Sequence, residues 1–268
     1  LVALGREITM SQALLGEAGV HIDGASSRIA DLPDGARARL ARALSVPIDK
    51  RITFVDMERI YRLRGAITKS AETFPVILRK LALDYAAMGI RYVELSLGTL
   101  VEARVLRAIH AAVPAIEDET GVTLRFLLAL SRHDDPEWDE DLLRRLAMLD
   151  ESIYVAGLDV MGHETNSTRA FAPQLRAAAK WADEHRPGFV IRVHAGECPS
   201  HPENVRVAID ETRGHDVQLR IGHGLYGVDE RTIEALVRER AIVEMNLDSN
   251  VALNHIANGN EAPLRRYL

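Results

Sequence analysis

The sequence predicts an α/β fold in which parallel strands alternate with helices, as in a (β/α)8 TIM barrel. Short apolar runs are followed by longer segments with helical periodicity. The ends of successive runs lie 33, 31, 35, 27 and 26 residues apart, by subtraction of their positions. One strand, one helix and two loops occupy roughly 30 residues in such a barrel. The strand candidates end at Gly98, Ser131, Gly162, Glu197, Gly224 and Asn250.

Six such units are two fewer than a closed eight-stranded barrel requires. We interpret them as strands two to seven, with strands one and eight weak or missing. Residues 54–268 are therefore predicted to form an incomplete barrel domain. Residues 1–53 are predicted to form loops and short helices, with a possible remnant of strand one.

The segments between the strand candidates have helical patterns. Val101, Val105 and Ile109 recur at a spacing that places them on one face of a helix. Gly89 stands where a helix C-cap is expected before the next strand. The helix candidates are residues 70–90, 101–116 and 230–241.

Composition and charge exclude several classes of protein. Hydrophobic residues make up 47% of the 268 residues, yet no apolar run approaches the roughly 20 residues that a membrane span needs. The net charge of -6 argues against double-stranded nucleic acid as a partner. One cysteine cannot form an internal disulfide, and the first ten residues lack the pattern of a signal peptide, so we expect a cytoplasmic setting. The acidic segment 131–143 is predicted to be solvated surface.

Polar residues gather at the carboxyl ends of the predicted strands. In a parallel barrel these ends open on one face, where active sites lie. Any one such residue is more commonly a hydrogen-bonding anchor for a loop, but their recurrence favours a functional site. They are Glu94, Asp159, His163, Glu164, His194, Glu197, His223, Asp248 and Asn250.

The "HAGE" stretch at residues 194–197 carries the clearest chemical signal. His194, at the end of a strand, can ligate Zn²⁺ from a rigid support. Glu197 lies just beyond the strand, where a carboxyl group that does not bind the metal can carry a proton. His223, between two glycines, can approach a ligand closely. Together these residues predict metal-assisted hydrolysis.

Several motifs together resemble the adenosine deaminase family of the amidohydrolase superfamily. The resemblance covers roughly residues 54–254, and the joint occurrence is specific although each motif alone is weak. The motifs are "RYVELS" at 91–96, "GLDVMGHE" at 157–164, "VHAGE" at 193–197, "RIGHG" at 220–224 and "SNV" at 249–251.

The resemblance implies a zinc-dependent hydrolytic deaminase of an adenine nucleoside or nucleotide, with one Zn²⁺ per active site. His194 would bind the metal and Glu197 would protonate purine N1. His223 would orient and deprotonate the attacking water. Gly162 would contact purine N3 through its backbone, and Asp159 would help to shape the purine pocket.

The sequence departs from the family pattern at both ends. In place of the family's His-x-His pair stands "AGVHIDGAS", where Gly19 replaces the first histidine. His21 is then a candidate metal ligand and Asp23 a candidate substrate contact, although "IDG" is also a common turn. The family's adjacent aspartates of strand eight have no counterpart before Leu268, so we expect these residues to be part of a longer chain.

These departures leave two alternatives open. One is a non-catalytic barrel that serves as a binding or assembly domain. The other is an amidohydrolase that acts on a different cyclic amidine or amide. The expected partner is a small purine nucleoside or nucleotide, and further domains or a homo-oligomer are compatible with the sequence.

Overall fold

The computed structural model describes most of the chain, in two compact units that are considered separately below. The first unit comprises Leu1–Val93 and Val101–Leu124, and the second comprises Glu94–Leu100 and Arg125–Leu268. Most of the acidic segment 131–143 and the first seven residues lie outside the described residues. Those described are 8–47, 50–68, 70–98, 101–132, 142, 144, 146–148 and 153–268.

The first unit is mainly helical. It contains a small antiparallel hairpin of β1 (Thr9–Ser11) and β2 (Ser26–Arg28), which the sequence did not predict. Strands of three residues are too short to show a two-residue period. The helices are α1 (Gln12–Glu17), α2 (Asp34–Ala43), α3 (Phe54–Thr68), α4 (Phe74–Ala87) and α5 (Ala103–Thr120).

Apolar periodicity explains the longer helices of this unit. Val105, Ile109 and Val113 on α5 are buried, as their spacing predicts, and α5 packs against α4. Gly89 has a positive φ of 81°, which allows the chain to leave the helix α4 through a left-handed turn. The two helix predictions at 70–90 and 101–116 are confirmed.

Only Ser26 of the "AGVHIDGAS" segment lies in a strand, as the first residue of β2. Residues 19–25, between α1 and β2, have turn, bend or irregular structure. Gly19 and Gly24 both have positive φ angles, which suit a glycine-containing turn. Of the two interpretations of this segment, the structure matches the turn.

A parallel sheet of six strands provides the framework of the second unit. Its strands are hydrogen-bonded in sequence order, from β3 at one edge to β8 at the other, which confirms the predicted α/β class. The strands are β3 (Tyr92–Leu97), β4 (Thr123–Ser131), β5 (Val155–Met161), β6 (Phe189–Ala195), β7 (Val217–His223) and β8 (Ile242–Glu244).

Helices follow these strands, as a parallel sheet requires. The helix Glu230–Arg238 begins after Asp229, whose side chain accepts a hydrogen bond from the Thr232 amide and so caps the helix. No helix among the described residues has the length and apolar character needed to cross a membrane. The helices are α6 (Ala172–His185), α7 (Asn204–Thr212), α8 (Glu230–Arg238), α9 (Leu247–Ala252) and α10 (Leu264–Tyr267).

The predicted sixth strand, residues 241–250, is wrong in its second half. Strand β8 ends at Glu244, and α9 follows over Leu247–Ala252. Polar residues between 246 and 250 interrupt the apolar run, and Asp248 lies in the first helical turn, where an acidic residue is favourable. Asn250 is therefore a helical residue and does not end a strand.

Candidate active site

The carboxyl ends of β6 and β7 bring together the three residues of the strongest sequence signal. Strand register places His194 beside Gly222 and Ala195 beside His223. One potential ligand atom from each of His194, Glu197 and His223 lies within 4.8 Å of the others, and these residues form the metal-capable cluster of the described part of the chain. His194 and His223, 29 positions apart in sequence, thus meet because neighbouring parallel strands end at the same edge.

His223 is held as a neutral base. Its Nδ1 lies 2.7 Å from Asn250 Oδ1, and because that oxygen accepts, Nδ1 carries the hydrogen. The basic Nε2 then faces Glu197, 3.5 Å from Oε1. Burial, assisted by the charge of His194, lowers the pKa of His223 to about 3, although Asn250 opposes the shift.

The pKa of Glu197 is shifted in the opposite direction, toward the protonated form. Its side chain is buried at the start of the loop after β6. Burial raises its pKa to about 7, assisted by Glu164 and opposed by His194 and Arg132. Near neutral pH the site therefore holds Glu197, divided between its protonated and ionised forms, beside a neutral imidazole, which is a pair suited to donate one proton and accept another.

Asp159 on β5 is fully buried and turned toward charged partners. Its carboxylate accepts hydrogen bonds from Ser96 and Arg192. Its other oxygen lies 3.5 Å from His194 Nε2. Burial alone would raise the pKa of Asp159, but His194 and Arg192 outweigh it and hold the pKa well below its usual range. The predicted contact of Asp159 with purine stays a prediction.

Glu164 anchors the loop that carries Glu197. Its buried carboxylate accepts hydrogen bonds from the backbone amides of Gly196, Glu197 and Cys198 at 2.6–3.0 Å. Asn204, at the start of α7, donates a fourth hydrogen bond at 2.9 Å. The sequence pointed to Glu164 only as one of many polar residues at strand ends, without a role.

Arg132, directly after β4, is a residue that the sequence reasoning missed. The sequence predicts solvated surface for segment 131–143, but Arg132 is buried. It donates to the backbone carbonyl of His194 and, at 2.9 Å, to that of Asn166. Its guanidinium also lies 5.1 Å from the centre of the Phe171 ring. A basic residue immediately after an apolar strand was the available signal.

The sequence also predicts Gly162, His21 and Asp23 as site residues. Gly162 follows β5 with a positive φ of 112°, a conformation that favours glycine. His21 and Asp23 belong to the other compact unit and are not members of the cluster around His194. Their roles as metal ligand and substrate contact stay predictions.

The sheet is parallel, and its polar cluster lies at the carboxyl ends of the strands. This is the arrangement of α/β barrel proteins, whose active sites lie on that face. The model of the adenosine deaminase family matches residues 22–268. The chain belongs to the adenosine deaminase family.

Individual relatives are more distant than the family match. The chain is 24% identical to N6-Methyl-AMP deaminase-L of Xenopus laevis over 80% of its length and 62% of the relative's. It is 26% identical to a putative adenosine/adenine deaminase of Streptomyces virginiae, over 92% of its length and 74% of the relative's. The chain thus spans between about three fifths and three quarters of these two relatives.

Comparison with solved structures supports the fold. An amidohydrolase from Burkholderia ambifaria with bound Zn superposes with a TM-score of 0.68 at 19% identity, covering 98% of this chain and 69% of that one. This similarity confirms the predicted barrel fold class, including the weakness of strands one and eight.

Proposed function

We propose that the protein is a zinc-dependent hydrolytic deaminase that converts an adenine nucleoside or nucleotide to its inosine form and ammonia. The observation that carries this proposal is the buried Glu197 carboxyl, whose Oε1 lies 3.5 Å from His223 Nε2, beside His194. Family membership supports the reaction type, since both relatives described above are named as deaminases.

The donor set is compatible with zinc. Imidazole nitrogen is an ordinary zinc ligand. His194 would hold the ion, and His21 is retained as a second ligand from the sequence. When bound, zinc supplies Lewis acidity that activates water near neutral pH. The amidohydrolase from Burkholderia ambifaria contains Zn, which supports the choice of metal.

The protein's own residues account for the proton transfers. Glu197 holds a proton near neutral pH and gives it to purine N1, which makes the neighbouring C6 electrophilic. His223 Nε2 accepts a proton from the water that adds to C6. The C6–N bond then breaks as His223 gives its proton to the leaving amine. The added hydroxyl loses its proton to Glu197 as C6 becomes a carbonyl, which restores both residues.

The adenine ring is the shared element of the proposed substrates. One relative is named for an AMP derivative and the other for adenosine or adenine. Gly162, just beyond β5, would contact purine N3 through its backbone. We therefore propose adenosine, AMP and ATP as the compounds to test first, with N6-methyl-AMP as a fourth.

Metal content and ammonia release test this proposal together. We expect the purified protein to contain about one zinc per chain and to release ammonia from adenosine, AMP or ATP, or methylamine from N6-methyl-AMP. His194→Ala should lose both the zinc and the activity, since it removes a ligand. The more exposed His201 provides a matched control, and His201→Ala should retain both.

One combination of results would contradict the proposed deaminase activity. A protein that binds no zinc after incubation with the ion, and that releases neither ammonia nor methylamine from the four compounds, would favour the non-catalytic binding or assembly domain.

A further inference from the structure

The Glu164 carboxylate is surrounded by hydrogen-bond donors. Its Oε1 accepts from the Gly196 amide at 2.8 Å and from Asn204 Nδ2 at 2.9 Å. Its Oε2 accepts from the amides of Glu197 at 2.6 Å and Cys198 at 3.0 Å. The side chain has no exposed surface. Both oxygens therefore face two N–H donors each, away from solvent.

This arrangement requires an acceptor at both oxygen positions. An ionised carboxylate only accepts, whereas a glutamine side chain has one oxygen and one NH₂ group. In either orientation of its amide, a glutamine at position 164 would place NH₂ hydrogens against two N–H donors. Such a buried mismatch is costly because the donors cannot turn to water.

The loop held by Glu164 has little freedom to move elsewhere. Gly196 has a φ of +71°, and a Cβ at this position would lie 2.5 Å from the Tyr226 carbonyl oxygen. Arg132 donates a hydrogen bond to the backbone carbonyl of His194, two residues before Gly196. The positive Arg132 also compensates the negative Glu164 inside the protein. A carboxylate and a guanidinium thus hold opposite backbone groups of the same short segment.

We propose that Glu164 is a positioning residue that fixes the backbone of residues 196–198 and thereby aims the Glu197 carboxyl at the substrate. The inference rests on the proposed function, because it assigns Glu164 a role through Glu197. Glu164 does not touch the substrate. It replaces the water that would otherwise solvate three amides of a loop required to be rigid.

Glu164→Gln is the principal test, measured on the zinc-loaded protein with the compound that it deaminates. A small misplacement of a reacting group can reduce turnover on the order of 10²-fold. We expect kcat to fall by about this factor while KM stays within about threefold, because substrate binding does not depend on the aim of Glu197. Zinc content should be unchanged. A kcat within threefold of the wild-type value would overturn the proposal.

Two further variants separate positioning from general stability. Thr212→Val removes a buried hydroxyl that bonds to Ala208 O at 2.9 Å within α7, away from the loop. It should lower the melting temperature with kcat unchanged. Glu164→Asp keeps an acceptor-only carboxylate on a shorter side chain, and its kcat should exceed that of Glu164→Gln by at least tenfold. Equal kcat values in the two Glu164 variants would overturn the role of the carboxylate.

Amide hydrogen exchange tests the same inference without the reaction. The amides of residues 196–198 should be protected in the wild-type protein and exchange much faster in Glu164→Gln, while amides of strand β4 keep their protection. If the wild-type protein deaminates nothing, the proposed function fails, but loss of protection would still support Glu164 as the anchor. Retained protection at all three amides in Glu164→Gln would overturn the inference whether or not the protein is active.

Discussion

Two groups of charged side chains in the second unit differ in how their charges are balanced. The first, which we call the ion-pair layer, consists of Glu94, Arg192, Arg220 and Glu244 on strands β3, β6, β7 and β8. The second is the cluster of His194, Glu197 and His223 at the carboxyl ends of the strands. Arg192 and His194 lie two residues apart on β6, so both groups use the same side of that strand.

The ion-pair layer is balanced by direct contacts. Arg220 binds Glu94 through both guanidinium Nη atoms, with Nη2 3.1 Å from Oε1. Glu244 lies 3.3 Å from Arg220 on one side and 3.3 Å from Arg192 on the other. Each carboxylate therefore faces at least one arginine.

The cluster has no comparable balance. Its members lie close enough to share a ligand, and burial shifts the pKa of Glu197 upward and that of His223 downward. Glu197 therefore titrates near neutral pH, whereas His223 is neutral there. The ion-pair layer holds its charges in direct contact, and burial sets the protonation of Glu197 and His223 at the site that we propose for proton transfer.

Glu197→Gln, a substitution in the cluster, should have the largest effect on activity. The variant keeps the shape of the side chain but has no proton to donate, so we expect a loss of ~10²–10⁴-fold in kcat. Zinc content should be retained. In the wild-type protein kcat should fall as pH rises through about 7, because Glu197 must be protonated to act as an acid. Steady-state kinetics between pH 5 and 9 measure both effects.

Glu203→Gln is the matched control for this substitution. Glu203 lies in the same connection between β6 and α7, and its side chain is exposed. Its loss should leave kcat within about twofold. Equal losses in the two variants would show that Glu197 has no special role.

Arg220→Met should mainly affect stability, which sharpens the contrast with the cluster. It removes the guanidinium that binds Glu94 and Glu244, whose carboxylates are partly or largely buried. Breaking one side of a buried pair costs about 3–5 kcal/mol in free energy of unfolding. We expect the free energy of unfolding, measured by urea denaturation, to fall by an amount near the lower end of this range. The kcat should stay within about fivefold of the wild-type value.

Arg213→Met provides the corresponding surface control. Arg213 pairs with Asp210 and Glu239 but is 42% exposed. Surface pairs contribute about 0–1 kcal/mol. If both arginine variants lost the same stability, the distinction between the ion-pair layer and ordinary surface pairs would be wrong.

The pH dependence of stability should give a smaller effect of predictable sign. Glu197 has an ordinary pKa of 4.5 and a pKa of about 7 in the folded protein. Between these values the folded state binds a proton that the unfolded state has released, so stability falls as pH rises through this window. Relative to wild type, metal-free Glu197→Gln should gain about 3 kcal/mol between pH 4.5 and 8. If the difference in free energy of unfolding between the two proteins did not change with pH, the raised pKa of Glu197 would be contradicted.

Much of the fold and part of the site could be predicted from the sequence. The apolar runs and their spacing indicated all six strands, since such patterns are local. The ends of β6 and β7 supplied His194, Glu197 and His223 for the same reason. The sixth strand candidate, residues 241–250, was wrong beyond Glu244 because the polar residues after it favour the first turn of a helix.

The tertiary structure decided which residues serve the site and in which protonation state. Glu164 meets the amides of residues 196–198 across more than 30 positions of sequence, and Asn250 meets His223 across 27. No local pattern encodes such contacts. The pKa values of Glu197 and His223 depend on burial by the whole surrounding structure. The sequence by itself determined where polar groups follow strands, and the fold determined which of them lose water and gain partners.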